Sequence, residues 1–169
     1  MGKTTTAINL STALAAVNNK VLIVDLDAQG NASTGLGIPK DEREKSTYDL
    51  LTGKATLKDV VKKTNIPSLS IAPASTDLSS IDVDLFEETG RVVKLRDLFA
   101  KEKSEFDYIL IDCPPSLNLL TINSMVASNS VLVPLQAEFF ALEGLSQLLL
   151  TVRDIRSVSY THLTLPTSG

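Results

Sequence analysis

Residues 21–26, 108–112 and 130–134 each form a short, nearly unbroken apolar run rich in β-branched side chains; the first runs out into acidic and turn residues from Asp25 onward, and the second ends in Asp112. Continuous apolar runs, rather than strict alternation, predict strands of a parallel sheet covered on both faces. A weaker strand pattern lies at 69–73. Helical spacing of apolar residues appears between these runs. Over 4–17 it places Ile8, Leu10, Ala13, Leu14 and Val17 along the helix; further helices are predicted over 56–63, 92–103, 117–127 and 141–155. The 117–127 segment is apolar nearly all round, which predicts a buried helix. Residues 30–46 are rich in Gly, Asn, Lys and Asp and read as a loop. Strands alternating with helices predict an α/β fold, a mostly parallel sheet flanked by helices with right-handed crossovers.

The 169 residues fit one domain, and 43% hydrophobic with 21% charged residues marks a globular chain. A net charge of −4 and a pI near 5.0 exclude a wholly basic nucleic-acid-binding surface, while leaving room for a local patch. The single cysteine, Cys113, excludes an intrachain disulfide framework and suits a reducing compartment. No apolar run approaches the roughly 20 residues that span a bilayer, and the polar start does not resemble a secretory leader. A cytoplasmic location is the expectation. Residues 157–169 carry no Asp, Glu, Lys or Arg and hold the one histidine, His162. Two readings stand: a closing strand, or a tail foreign to the fold. The second is preferred, with residues 1–156 as the domain and no role for His162.

Three motifs carry chemistry. Gly2-Lys3-Thr4-Thr5 opens the first helix and matches the end of G-x-x-x-x-G-K-[ST]. Glycine admits phosphate close to the backbone, lysine offers charge to it, and a threonine hydroxyl suits Mg²⁺. A capped surface helix would also begin this way. Asp25-Leu26-Asp27-Ala28-Gln29-Gly30-Asn31 follows an apolar strand. Carboxylates two apart on a strand share a face, at the strand end where open α/β sheets bind ligands. A plain turn would explain Gly30 and Asn31 but not the paired acids. Ile109-Leu110-Ile111-Asp112-Cys113-Pro114-Pro115 has the form of a Walker B strand whose carboxylate meets Mg²⁺ directly or through water. Cys113 reads as a packed residue rather than a nucleophile, since it has no partner histidine or second cysteine nearby in sequence.

Taken together, these strings resemble the ParA/Soj group of deviant Walker A, phosphate-loop ATPases. The likeness runs to about residue 156 and includes Tyr48-Asp49-Leu50-Leu51, Asp112-Cys113-Pro114-Pro115-Ser116 and Phe140-Ala141-Leu142-Glu143-Gly144. The group's loop reads Lys-Gly-Gly-Val-Gly-Lys-Thr-Thr. Met1 stands at its valine, so the likeness implies an incomplete domain cut at both ends, without the signature lysine that crosses the dimer. It implies ATP and Mg²⁺ as cofactors. Lys3 and Asp27 take the catalytic roles, Asp27 as the first-switch aspartate. Gly2, Lys3, Thr4, Thr5, Asp112 and Pro114 take nucleotide binding, with Thr4 and Asp112 at the metal. Pro114, Pro115 and Ser116 fall in the second switch. It further implies chromosome or plasmid segregation with a ParB-type centromere-binding partner, non-specific DNA, a nucleotide-dependent homodimer, no stable membrane insertion and a nucleoid-associated location. Two rival readings are a MinD-like division-positioning ATPase and a fragment that binds no nucleotide. Iron-protein relatives need paired cysteines, which one cysteine excludes.

Overall fold

The computed structural model of the chain describes residues 2–102, 105–134, 150 and 152–154. The chain runs through α1 (Lys3–Ala16), β1 (Val21–Asp25), α2 (Asn31–Gly35), α3 (Thr47–Leu51), α4 (Leu57–Val60), β2 (Lys62–Lys63), β3 (Leu69–Ala72), α5 (Ile81–Asp84), α6 (Lys94–Lys101), β4 (Tyr108–Asp112) and α7 (Leu119–Ala127). The strands form one sheet in the order β2-β3-β1-β4. β1 pairs in parallel with β3 and β4, and β2 runs antiparallel to β3.

β1 is central, and its residues Val21 to Val24 are fully buried. Alternation divides them between two cores. Val21 and Ile23 pack with Ala15, Ala32, Leu36, Ile38, Leu69 and Ile71 on the side of α1 and α2. Leu22 and Val24 pack on the other side with Leu50, Leu57, Leu78, Leu95 and Leu119. A strand buried on both faces has no polar face to show, which accounts for its continuous apolar run. Full burial of one such side chain stabilises by about 1.5–3 kcal/mol.

α1 contacts the sheet differently from its predicted apolar stripe. Leu10 and Val17 are 38% and 67% exposed, and Ala13 is also exposed. The buried positions are Ser11 and Ala15, with Ile8 and Leu14 packed beside them. Small side chains let the helix axis come close to the strands. Thr4 stands one helical turn before Ile8 on this same face and is thereby turned toward the strand ends.

Other expectations are corrected by the fold. Residues 130–134 form no strand. Val131, Leu132 and Val133 are exposed, and no described strand lies beside them to complete a ladder. The 56–63 helix stops at Val60, because Val61 turns to extended backbone and Lys62–Lys63 pairs with β3. The 30–46 loop contains α2. The helix expected over 141–155 and the 157–169 tail lie almost wholly outside the described residues. No described helix is long and apolar enough to cross a membrane.

Candidate functional site

The register of β1 against β4 pairs Asp25 with Asp112. Partners in register point to the same face of a parallel sheet, here the α1 and α2 side. Thr4 meets them: its Oγ1 donates to Asp112 Oδ2 at 2.7 Å, joining residues 108 positions apart. The start of α1 is set by Gly2, whose φ of 103° is left-handed backbone and whose carbonyl accepts from Thr6 N and Oγ1. Lys3 is half-buried at this end, and its ammonium acts on both Asp112 and Cys113. Thr5 is exposed on the first turn.

Asp27 lies two residues beyond β1, outside the strand on which it was expected. It is half-buried, its N–H donates to Asp25 Oδ1 (3.1 Å), and its Oδ1 accepts from Gln29 N (3.0 Å). Gly30 N donates to Asp27 O at 2.8 Å, closing the turn. Asp27 is near enough for its charge to act on both Asp25 and Asp112. Pro114 is half-buried two residues after Asp112, and Pro115 and Ser116 are exposed. The structure thus brings Lys3, Thr4, Asp27 and Asp112 to one end of the sheet, with Gly2, Thr5 and Pro114 adjoining in the chain. The surface cavity of about 580 Å³ lined by Asp82, Val83, Asp84, Phe86 and Glu87 holds none of them.

Electrostatics separate the acids. Burial raises the Asp112 carboxyl above the ordinary carboxylate range; the Thr4 hydrogen bond and the Lys3 charge oppose this, while Asp25 and Asp27 add to it. Burial likewise raises Asp25, against the pull of Ser33. Neighbouring carboxylates make this end of the sheet a place where cationic charge is favoured. Burial also pushes the Cys113 thiol up, which disfavours the nucleophilic thiolate.

Several buried polar residues have no counterpart in the sequence-based site, and three of them make the most telling contacts. Ser33 N and Oγ donate to Asp25 Oδ2 at 2.9 and 2.7 Å, and Ala74 N donates to Ser33 Oγ at 3.0 Å. Arg43 is 8% exposed and lies against Gly30. Asn123, 1% exposed, accepts from Leu95 N and donates to Arg91 O and Leu119 O. Nothing in residue type or spacing marks them, because Ser, Arg and Asn are ordinarily surface residues.

The sequence profile of the AAA domain family matches residues 1–165. The chromosome partitioning protein ParA of Caulobacter vibrioides is 51% identical over 158 residues, covering 92% of this chain and 59% of that protein. The sporulation initiation inhibitor protein Soj of Bacillus subtilis is 47% identical, covering 96% and 64%. Among solved structures, cobyrinic acid a,c-diamide synthase from Mycobacterium smegmatis with bound ADP and magnesium superposes with a TM-score of 0.88 at 35% identity, over 94% of this chain and 64% of that one. A plasmid partition protein from Borrelia burgdorferi gives 0.81 at 28%, over 92% and 69%. The chain spans 59–64% of the length of these two curated relatives. With a Gly-Lys-Thr-Thr helix start, an acidic turn and an acidic strand end assembled at one end of a mostly parallel sheet, the chain belongs to the AAA domain family, with the ParA and Soj partitioning proteins as its relatives.

Proposed function

We propose that this chain is the nucleotide-binding part of a Mg²⁺-dependent ATPase that segregates DNA. The observation that carries the reading is the Thr4–Asp112 hydrogen bond. It sets a hydroxyl and a carboxylate side by side at the start of a 14-residue helix. Mg²⁺ is held in this way by a few protein oxygens together with phosphates and waters. The donor set fits the ion, and the neighbouring carboxylates offer it charge.

In this reading the N–H groups that open α1, beginning with Gly2 and Lys3, receive the ATP phosphates. Lys3 reaches the β- and γ-phosphates, while Thr5 and Pro114 complete the wall around them. Thr4 and Asp112 hold Mg²⁺, which neutralises charge on the phosphate oxygens. Asp27 orients the water that attacks the γ-phosphorus, and the β–γ bridging oxygen leaves with ADP. Little covalent chemistry is asked of the protein; positioning and charge do the work.

The partitioning role rests on the relatives. It includes a ParB-type partner that stimulates turnover, sequence-independent and salt-sensitive contact with DNA, a nucleotide-dependent homodimer, and residence in the cytoplasm on the nucleoid. The test is a titration with Mg²⁺ and a fluorescent ATP analogue, followed by phosphate release. Lys3→Ala should abolish binding. Asp27→Ala should keep binding and slow turnover by roughly 10²-fold. Equal binding by the unaltered and Lys3→Ala proteins would remove the phosphate site from this position.

A further inference from the structure

Arg43 is a buried cation that the reaction outlined above does not use. Among the described residues it has no carboxylate within ion-pair distance. Its guanidinium is spent on neutral acceptors instead. Nε and Nη2 donate to the carbonyl of Ile38 at 3.1 and 2.7 Å, Nη2 donates to Thr34 Oγ1 at 2.8 Å, and Nη1 reaches the carbonyl of Ala74 at 3.4 Å. Those acceptors belong to α2, to the bend that follows it, and to the segment just beyond β3. Only a planar fork with donors on several sides can bridge all three, and an ammonium cannot reproduce it.

The bonds continue toward the acidic turn. Thr34 N and Oγ1 donate to the carbonyl of Gly30, at 2.9 and 3.0 Å, and Gly30 N donates to the carbonyl of Asp27. Gly30 holds φ 63°, and a methyl group there would overlap Arg43 Nη1. The guanidinium therefore lies directly beneath the turn that carries Asp27.

We propose that Arg43 is a positioning residue that holds the Asp27 turn in its working shape. The role deepens the ATPase reading and rests on it for its catalytic consequence, though not for its structural one. The structural test is amide hydrogen exchange on the full chain. In Arg43→Lys and in Thr34→Val, exchange at Gln29, Gly30 and Thr34 should quicken about tenfold or more, while Val21 to Val24 keep their rates. Thr34→Val breaks the link without removing the buried cation, so the measurement survives if Arg43 variants fold poorly. The catalytic test is a double-mutant cycle. Arg43→Lys should lower kcat about tenfold with KM for ATP nearly unchanged, and add no further loss in an Asp27→Ala background. Unchanged exchange at Gln29 and Gly30 would overturn the proposal, as would losses that multiply in the cycle. Absence of ATP turnover in the unaltered protein would instead overturn the ATPase reading, and hydrogen exchange would still decide the role of Arg43.

Discussion

At the scale of single residues, the acidic end of the sheet is built against its own stability. Asp25 is fully buried, and three donations from Ser33 and Asp27 soften the cost of its charge without removing it. Its carboxyl and that of Asp112 are raised in the folded chain from the model-compound value of 3.8, chiefly by burial. Between 3.8 and the raised values the folded state binds more protons than the unfolded one, so stability falls as pH rises through that window. Exposed Asp59 and Asp84 are shifted the other way, by hydrogen bonds from Thr56 and Ser80, and their contribution is lost only as pH drops below the ordinary range. Denaturant midpoints taken across a pH series should therefore decline above that range in the unaltered chain and decline less in Asp25→Asn. Parallel curves for the two proteins would contradict the assignment. Gly30 offers a second test. Its φ of 63° is costly for alanine, and Arg43 fills the space a methyl would need. Gly30→Ala should lose about 2 kcal/mol in a urea titration, within the range for a non-glycine residue forced into left-handed backbone. A loss near zero would mean that the turn relaxes freely.

Elements follow from sequence to the degree that their cause is local. β1 and β4 are legible because both faces of each pack against a core, fully in β1 and partly in β4, and the apolar run records that directly. α2 is not legible, since Asn31–Gly35 holds no apolar pattern and is tied down by Ser33 on Asp25 and by Arg43 on Thr34. The 130–134 run fails for the opposite reason: its composition is that of a strand, but strand formation needs a neighbour, and composition does not report one. The site divides along the same line. Lys3, Thr4, Asp27 and Asp112 announce themselves through strings of fixed spacing. Ser33, Arg43 and Asn123 matter only through burial, which their side-chain types do not signal. Asn123 is the plainest case. It ties α7, which follows the Pro114–Pro115 segment, to the start of α6 and to the Arg91 carbonyl. Asp82 also accepts from Leu119 N at the first turn of α7. Asn123→Ala would leave the Leu95 N–H and the Arg91 carbonyl without this partner, at a cost of about 2 kcal/mol by the usual penalty for orphaned buried groups. Chemical denaturation measures it, and a change under about 0.5 kcal/mol, the scatter of ordinary surface substitutions, would show that water replaces the amide.

For the whole molecule, the consequence is a sheet whose strands β1, β3 and β4 each send side chains into both cores, with the site at the end of β1 and β4. Thr4 belongs to α1, Asp112 to β4 and Asp25 to β1, so whatever binds across them clamps three elements at once. A ligand that binds only the folded chain stabilises it by mass action, about 2.7 kcal/mol at a hundredfold excess over its Kd. Under the proposed function, Mg²⁺ with a non-hydrolysable ATP analogue should raise the midpoint of thermal unfolding by an amount that grows with nucleotide concentration. Chelating the metal should remove most of the rise, because cationic charge between Asp112 and the phosphates is then lost. Thr4→Ala should behave in metal much as the unaltered chain behaves after chelation, since it deletes one of the two oxygens offered to the ion. Nucleotide alone stabilising as strongly as nucleotide with Mg²⁺ would show that Thr4 and Asp112 hold each other rather than a metal, and the site would have to be rebuilt around Lys3.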